Sequence, residues 1–398
     1  DNVKRHGVEP VSWSRNFTGK ASRATARRSP PSRRREAHEF RPNEAPERLG
    51  DLEGLPAGYE SIWFKKGQTF GFELELTNSS YNRIAGHSWF RKAERLRVGI
   101  AEAHRARYGQ SFVAPAVYSY GRGRHNVWNV ESDSSAGWEV TSRILEGREG
   151  IEELIISCEA IKEIAKAEGL KVNARTGMHL HLGWTLELKA IKRLVALMHL
   201  FEPAFASIVA PSRSAAYDWM QKRYRPETSN PYCRPISSGI NMKELFLCNS
   251  MDALKKILAR VPRNLTLNLR SLKKYGTVEF RMHSGTTDFR KALLWLTLCQ
   301  QLLHRASQGE ESISLYRQLL SGGKRRVIQP NDQLLMLAER YLPDGSHPAF
   351  QALLKARREE IYSLIRHSAS LTNWHQPLAL SMSSPTRSVC SVDFTGSA

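Results

Sequence analysis

In the stretch GQTFGFELELT, residues 67–77, two carboxylates, Glu73 and Glu75, sit inside an apolar run. A strand sends successive side chains to opposite faces, so residues two apart share one face. Phe70, Phe72, Leu74 and Leu76 then point into a core, while Gly71, Glu73 and Glu75 point the other way. Like charges side by side on a strand repel, and burying them is costly unless something positive binds them. The simplest such partner is a divalent metal. The plain alternative is a half-exposed strand with a solvated acidic face.

Three further stretches repeat the pattern. Residues 138–144 read as a strand carrying Glu139. In TGMHLHLGW, within 172–184, His179 and His181 alternate with Met178, Leu180 and Leu182, so both imidazoles share a face. In TVEFRMH, 277–283, the period of two predicts Glu279, Arg281 and His283 on one face and Val278, Phe280 and Met282 on the other. A sheet gathering these strands makes a concave acidic surface with a few nitrogen donors. Carboxylate oxygens suit Mg2+ or Mn2+, which keep positions open for substrate phosphates. Zinc more often shows Cys-rich ligation or H-E-x-x-H, both absent from the sequence. His-x-His on a strand can still ligate zinc, and two hydrogen-bonded core histidines are a further reading. An arginine two residues from a metal-binding glutamate can neutralise a phosphate that the metal also holds. Alternatively, Arg281 forms an internal ion pair with Glu279.

The elements that must position these residues follow from periodicity and punctuation. Residues 89–108 carry Leu96, Ile100 and Ala103 at helical spacing before Gly109. Strands are predicted over 112–120 and 126–130, separated by the basic turn GRGRH. Residues 151–168 predict an amphipathic helix with Gly169 as its stop. A second apolar helix is predicted over 186–205. The long Arg-, Tyr- and Pro-rich segment 211–238 reads as a functional loop, with Arg213 and Arg225 as candidates to hold a substrate carboxylate or close as a lid. Residues 264–270 and 277–283 predict an antiparallel pair joined by a turn at 273–276. Thr287 or Asp288 caps a helix through 304, and 333–341 and 350–365 complete the helices.

Composition bounds the rest. The 398 residues suit one large domain or two medium ones. Residues 1–48 mix Arg, Ser and Pro without apolar periodicity and read as a disordered basic tail; 52–366 read as the folded domain and 368–398 as a disordered Ser/Thr-rich tail. No apolar run reaches the roughly 20 residues that span a bilayer. Five scattered cysteines without C-x-x-C argue for a reducing, cytoplasmic setting. The net charge of +20 invites polyanions, which the basic tail would bind nonspecifically.

Taken in order, FGFELE, WEVTSRIL, GMHLHLG and LNLRSLKKYGTVEFRMHSGTTD resemble the amidoligase family, over roughly residues 67–308. That family belongs with the carboxylate-amine ligases of the glutamine synthetase and glutamate-cysteine ligase fold. The resemblance implies an α+β fold with a curved, mostly antiparallel sheet and flanking helices. It implies an enzyme using ATP with Mg2+ or Mn2+ on small-molecule or peptide carboxylates and amines. By that likeness Glu73, Glu75, Glu139, Glu279 and His179 are metal ligands. His179, His181, Arg281 and Asn268 lie near the nucleotide, and Arg281 and Glu279 are catalytic. Ser142 matches the serine of the E-x-x-S element and Asp133 the acid of D-x-S. Two other classes stand beside the ligase: a metal-dependent hydrolase on the same glutamates and histidines, and a nonenzymatic nucleic-acid binder, which leaves the matched acids without a purpose.

Overall fold

The computed structural model describes residues 47–50, 52–53, 55–78, 87–118, 125–133, 136–184, 187–213, 217–218, 223–224, 230–308 and 330–372. The compositional expectations for 1–46 and 373–398, and for Arg225, fall outside these residues.

The described residues begin with two short paired strands, β1 (Glu47–Arg48) and β2 (Trp63–Phe64), followed by the long strand β3 (Thr69–Asn78) and helix α1 (His87–Tyr108). Next come β4 (Asn129–Asp133), β5 (Gly137–Thr141), β6 (Leu145–Glu146), α2 (Gly147–Glu168), β7 (Leu170–Lys171) and β8 (Gly177–Gly183). Helix α3 (Leu188–Ala206) leads to the small pair β9 (Tyr217–Asp218) and β10 (Arg223–Tyr224), then α4 (Met242–Leu247) and α5 (Met251–Arg260). The last strands are β11 (Leu267–Asn268) and β12 (Thr277–Ser284), joined by the short helix α6 (Ser271–Tyr275). Helices α7 (Phe289–Gln308), α8 (Pro330–Tyr341) and α9 (Pro348–Thr372) complete the described chain.

The main sheet runs β11-β12-β8-β3-β5-β4, with β6 and β7 also paired to β3, and every strand pair in it is antiparallel. The four stretches with chemical potential are therefore neighbours: β12, β8, β3 and β5. Their other face is the core. Phe70, Phe72, Leu74, Leu76, Trp138, Val140, Met178, Leu180, Leu182, Val278 and Phe280 are all buried in one continuous cluster with residues of α1, α2, α3 and α7. Burying each large apolar side chain contributes about 1.5–3 kcal/mol, so registers that turn this face to water are strongly disfavoured. This is the α+β, mostly antiparallel class with flanking helices that the sequence implied.

Local signals behave as the residues dictate. Gly109 (φ 70°) and Gly169 (φ 65°) adopt the left-handed conformation that ends α1 and α2. Asp288 caps α7 by accepting the Arg290 N–H at 3.0 Å. Other expectations shift. The connection between β11 and β12 is a helical turn rather than a simple turn, closed by Gly276 (φ 68°). Glu47 and Arg48, assigned to the tail by composition, are already paired, and the last helix continues to Thr372. Among the described residues no helix is long and apolar enough to cross a membrane. Cys158, Cys233, Cys248 and Cys299 are free thiols, all buried.

Candidate active site

The antiparallel registers stack the polar side chains into rungs. One rung is Asn268–Glu279–His181–Gly71, across β11, β12, β8 and β3. The next is His179–Glu73–Thr141–Asn129, across β8, β3, β5 and β4. A third joins Glu75, Glu139 and Glu131 on β3, β5 and β4. Directly opposed side chains in such ladders have Cβ atoms about 4.5–5.5 Å apart, so neighbouring rungs bring these groups into contact.

They do meet. Glu73, His179 and Glu279 each offer a ligand atom, and the three atoms lie within 4.8 Å of one another. His179 Nδ1 is 2.9 Å from Glu73 Oε2 and 3.9 Å from Glu279 Oε1, while its Nε2 is 3.7 Å from Glu75 Oε1. His181 Nε2 sits 3.2 Å from Glu73 Oε1 and 3.9 Å from Glu279 Oε2, and its Nδ1 is 2.9 Å from Thr277 Oγ1. Asn268 Nδ2 donates to Glu279 Oε2 at 2.5 Å, which fixes that carboxylate from the far side. Arg281 donates to Glu279 Oε1, and its Nη1 lies 3.5 Å from His179 Nδ1. The internal Glu279–Arg281 ion pair foreseen from their spacing is therefore present, and it sits against the histidines.

The electrostatics are those of a crowded acid face. Glu75, Glu131, Glu139 and Glu279 are buried, and Glu73 is half-buried. Burial alone would push Glu73 up, but hydrogen bonds from His179 and His181 and their charge hold its carboxyl well below the ordinary range. His181 is pulled down by burial, yet the hydrogen bond to Glu73 and the charges of Glu73 and Glu279 leave it raised. Glu139 has no such help. Burial, then the negative charges of Glu73, Asp133, Glu75 and Glu131, push it up to about 10. Among the described residues, the five glutamates of this face outnumber the two arginines paired with them, Arg281 and Arg213. His179 Nε2 is a buried atom with no hydrogen-bond partner. An oxygen-rich donor set with an orphaned imidazole nitrogen and surplus negative charge fits a hard divalent cation.

Two site expectations, those for His283 and Arg213, need correction. His283 is not on the acid face. The register of β12 against β8 shifts between Phe280 and His283, pairing His283 with Met178. Its ring packs 5.4 Å from that of Trp295, and burial, with the charges of Arg357, Lys291 and Arg213, lowers it to about 3. Ser142 serves the backbone: its Oγ accepts the Phe72 N–H at 2.9 Å and donates to Arg143 O. Asp133 accepts the Ala136 N–H at 2.8 Å, just ahead of β5. Arg213, read as a lid or substrate residue, is buried with Nη2 3.5 Å from Glu75 Oε2. The acid that sequence reading missed is Glu131. Its signal was the alternation Asn129, Glu131, Asp133, hidden by ending the strand at 130.

The family model described as "Putative amidoligase enzyme" matches residues 66–303, which spans all of these rungs. No curated protein matches the chain. Among solved structures, a novel glutamine synthase homolog is similar at 16% identity, covering 78% of this chain and 68% of that one, with a TM-score of 0.35. A GmaS/ADP complex is similar at 14% identity, covering 77% and 71%, with a TM-score of 0.39. The complex of the prokaryotic ubiquitin-like protein Pup with its ligase PafA follows at 12% identity, covering 75% and 65%, with a TM-score of 0.34. At these scores the likeness carries no residue roles.

Proposed function

Since this chain belongs to the amidoligase enzyme family, we propose that it is an ATP-dependent carboxylate-amine ligase forming amide or isopeptide bonds through an acyl phosphate. One observation carries this reading beyond the family: five glutamates and two histidines converge on one largely buried sheet face, with Glu73, His179 and Glu279 at ligand spacing.

A carboxylate is a poor acyl electrophile because attack on it must expel an oxide. Transfer of the γ-phosphoryl group of ATP to one carboxylate oxygen gives an acyl phosphate. The amine then attacks the acyl carbon, loses a proton, and inorganic phosphate departs. The protein must hold the carboxylate and the triphosphate, both anions, against each other. Glu73, His179 and Glu279 would hold one divalent cation, and Glu75, Glu139 and Glu131 supply oxygens for a second. Bound there, Mg2+ or Mn2+ supplies positive charge to the phosphate oxygens. Arg281, presented beside Glu279, places a guanidinium where charge develops on the transferred group. His181 orients Glu73, and Asn268 orients Glu279.

The test is phosphate release from ATP across a panel of amino acids and short peptides. The ligase reading expects release only when a carboxylate, an amine and Mg2+ or Mn2+ are all present. Amide-bond cleavage without ATP would establish a metal-dependent hydrolase on the same residues instead.

A further inference from the structure

One side of Glu75 is closed by a residue to which the ligase chemistry assigns no part. Arg213 follows α3 by a few residues, yet its side chain is buried beside β8. Its Nη2 lies 3.5 Å from Glu75 Oε2, and its Nε donates to Thr176 O at 3.4 Å. The same Oε2 accepts the Gly177 N–H at 2.6 Å. The other carboxylate oxygen, Oε1, faces His179 Nε2 at 3.7 Å, and that nitrogen is a buried orphan. Glu75 thus has one oxygen committed to the protein and one turned toward His179.

The space for this arrangement is reserved in the backbone. A Cβ at Gly177 would lie 2.0 Å from Arg213 Nη2, 2.7 Å from Cζ and 3.0 Å from His179 Nε2. Only glycine lets the guanidinium pass close enough to reach Glu75.

We infer that Arg213 is a positioning residue that sets metal specificity: with the Gly177 N–H it occupies Glu75 Oε2, restricts Glu75 to single-oxygen ligation, and so favours Mg2+ or Mn2+ over Ca2+. The physical reason is coordination. Ca2+ takes about 6–8 oxygens and readily accepts bidentate carboxylates, whereas Mg2+ demands near-octahedral geometry at shorter distances with one oxygen per carboxylate. A carboxylate with one oxygen tied back cannot chelate. This deepens the metal-dependent reading and rests on it.

The test titrates the purified full chain with Mn2+ and with Ca2+ by calorimetry, without nucleotide, for the native protein, Arg213→Met and Gly177→Ala. Removing a nearby positive charge strengthens binding of both cations alike, so the ratio of the two Kd values isolates geometry. The native protein should prefer Mn2+. In Arg213→Met the ratio should move toward Ca2+ by about tenfold, within the range that outer partners of metal ligands command. Gly177→Ala keeps the charge but displaces the guanidinium, and should move the ratio the same way. It also stands alone if Arg213→Met does not melt as a folded protein. Native binding of Mn2+ with a ratio unchanged, or moved toward Mn2+, in the folded variants overturns the role of Arg213 and leaves the metal site standing. A native protein that binds neither cation overturns both.

Discussion

Glu75, Glu279 and Arg281 carry the sharpest tests, because each can be altered at nearly constant shape. Glu75→Gln and Glu279→Gln each delete one formal charge from a face already holding surplus negative charge, so the fold should survive and turnover should not. The expected outcome is loss of ATP-coupled turnover of at least about 100-fold with a melting temperature at or above the native value. Steady-state phosphate release and a melting curve decide it, and native kinetics in both variants would refute the site. Arg281→Lys keeps the charge but loses the planar fork that grips two oxygens at once. Turnover should fall more than stability does. A fully active lysine variant would leave Arg281 as the ion-pair partner of Glu279 alone. Glu139 offers a pH test. In the metal-free fold burial and the neighbouring acids push its carboxyl up to about 10, far above the ordinary carboxylate range. Between the ordinary carboxylate range and that point the folded protein keeps a proton that the unfolded chain has released, so stability falls as pH rises. His181, also raised, adds to the same trend, while Glu73, held low, adds no slope above its ordinary value. In a chelator, melting temperature should fall from about pH 6 to about pH 9, and Glu139→Gln should flatten that slope. Equal slopes in the two proteins would contradict the burial of an acid at this position.

At the scale of elements, the face is assembled by pairing rather than by any one strand. β3 contributes Glu73 and Glu75, but their neighbours arrive from β8, β5 and β12, far apart in the chain. The link between β11 and β12 matters because it sets Asn268 opposite Glu279. Helix α6 makes that reversal in five residues and ends at Gly276, whose φ of 68° suits glycine. Gly276→Ala should cost about 1 kcal/mol of stability, read by chemical denaturation, since a side chain in the left-handed region costs about that much. The β-bulge in β12 has a different consequence. It turns His283 into the core against Trp295, while Arg281 stays beside Glu279 and His179 on the acid face.

For the whole molecule, the contacts of β1 bear on how much of the chain can be removed. Arg48 donates to Asp344 through Nη1 at 2.5 Å and Nη2 at 2.7 Å, tying the first strand to the segment after α8. Leu49 beside it is fully buried. A chain beginning at Glu47 and ending at Thr372 should keep native ATP turnover, because the residues removed carry no apolar pattern able to pack. Cutting on to Leu52 should lower stability by about 2 kcal/mol or more, the worth of one buried leucine before the loss of the ion pair is counted. Denaturation of the two truncated chains separates the cases. Equal stability would mean that the β1–β2 pair is dispensable. The Arg-rich residues ahead of Glu47 carry part of the net charge of +20, and salt-dependent binding of a polyanion by the full chain alone would assign that charge a recruiting role.

The alternation of Phe70 to Leu76 with Glu73 and Glu75, of Met178 to Leu182 with His179 and His181, and of Val278 and Phe280 with Glu279 was legible in the residues alone. A period of two fixes the face once a strand is assumed, and burial of the apolar set then leaves the acids and imidazoles no other side. Helix ends at Gly109 and Gly169 were equally local, since the need for a left-handed residue is written into the residue type. What only the tertiary structure decided depended on partners distant in sequence. Glu131 joins the face because β4 pairs with β5 in a register that opposes it to Glu139. His283 leaves the face because one extra residue in β12 inverts the alternation, a bulge that no local pattern announces. Arg213 became a buried partner of Glu75, rather than a surface arginine on a loop, because Gly177 leaves a gap of its size in the neighbouring strand. Composition sees an arginine and a glycine; their fit exists only once the sheet has been assembled around both.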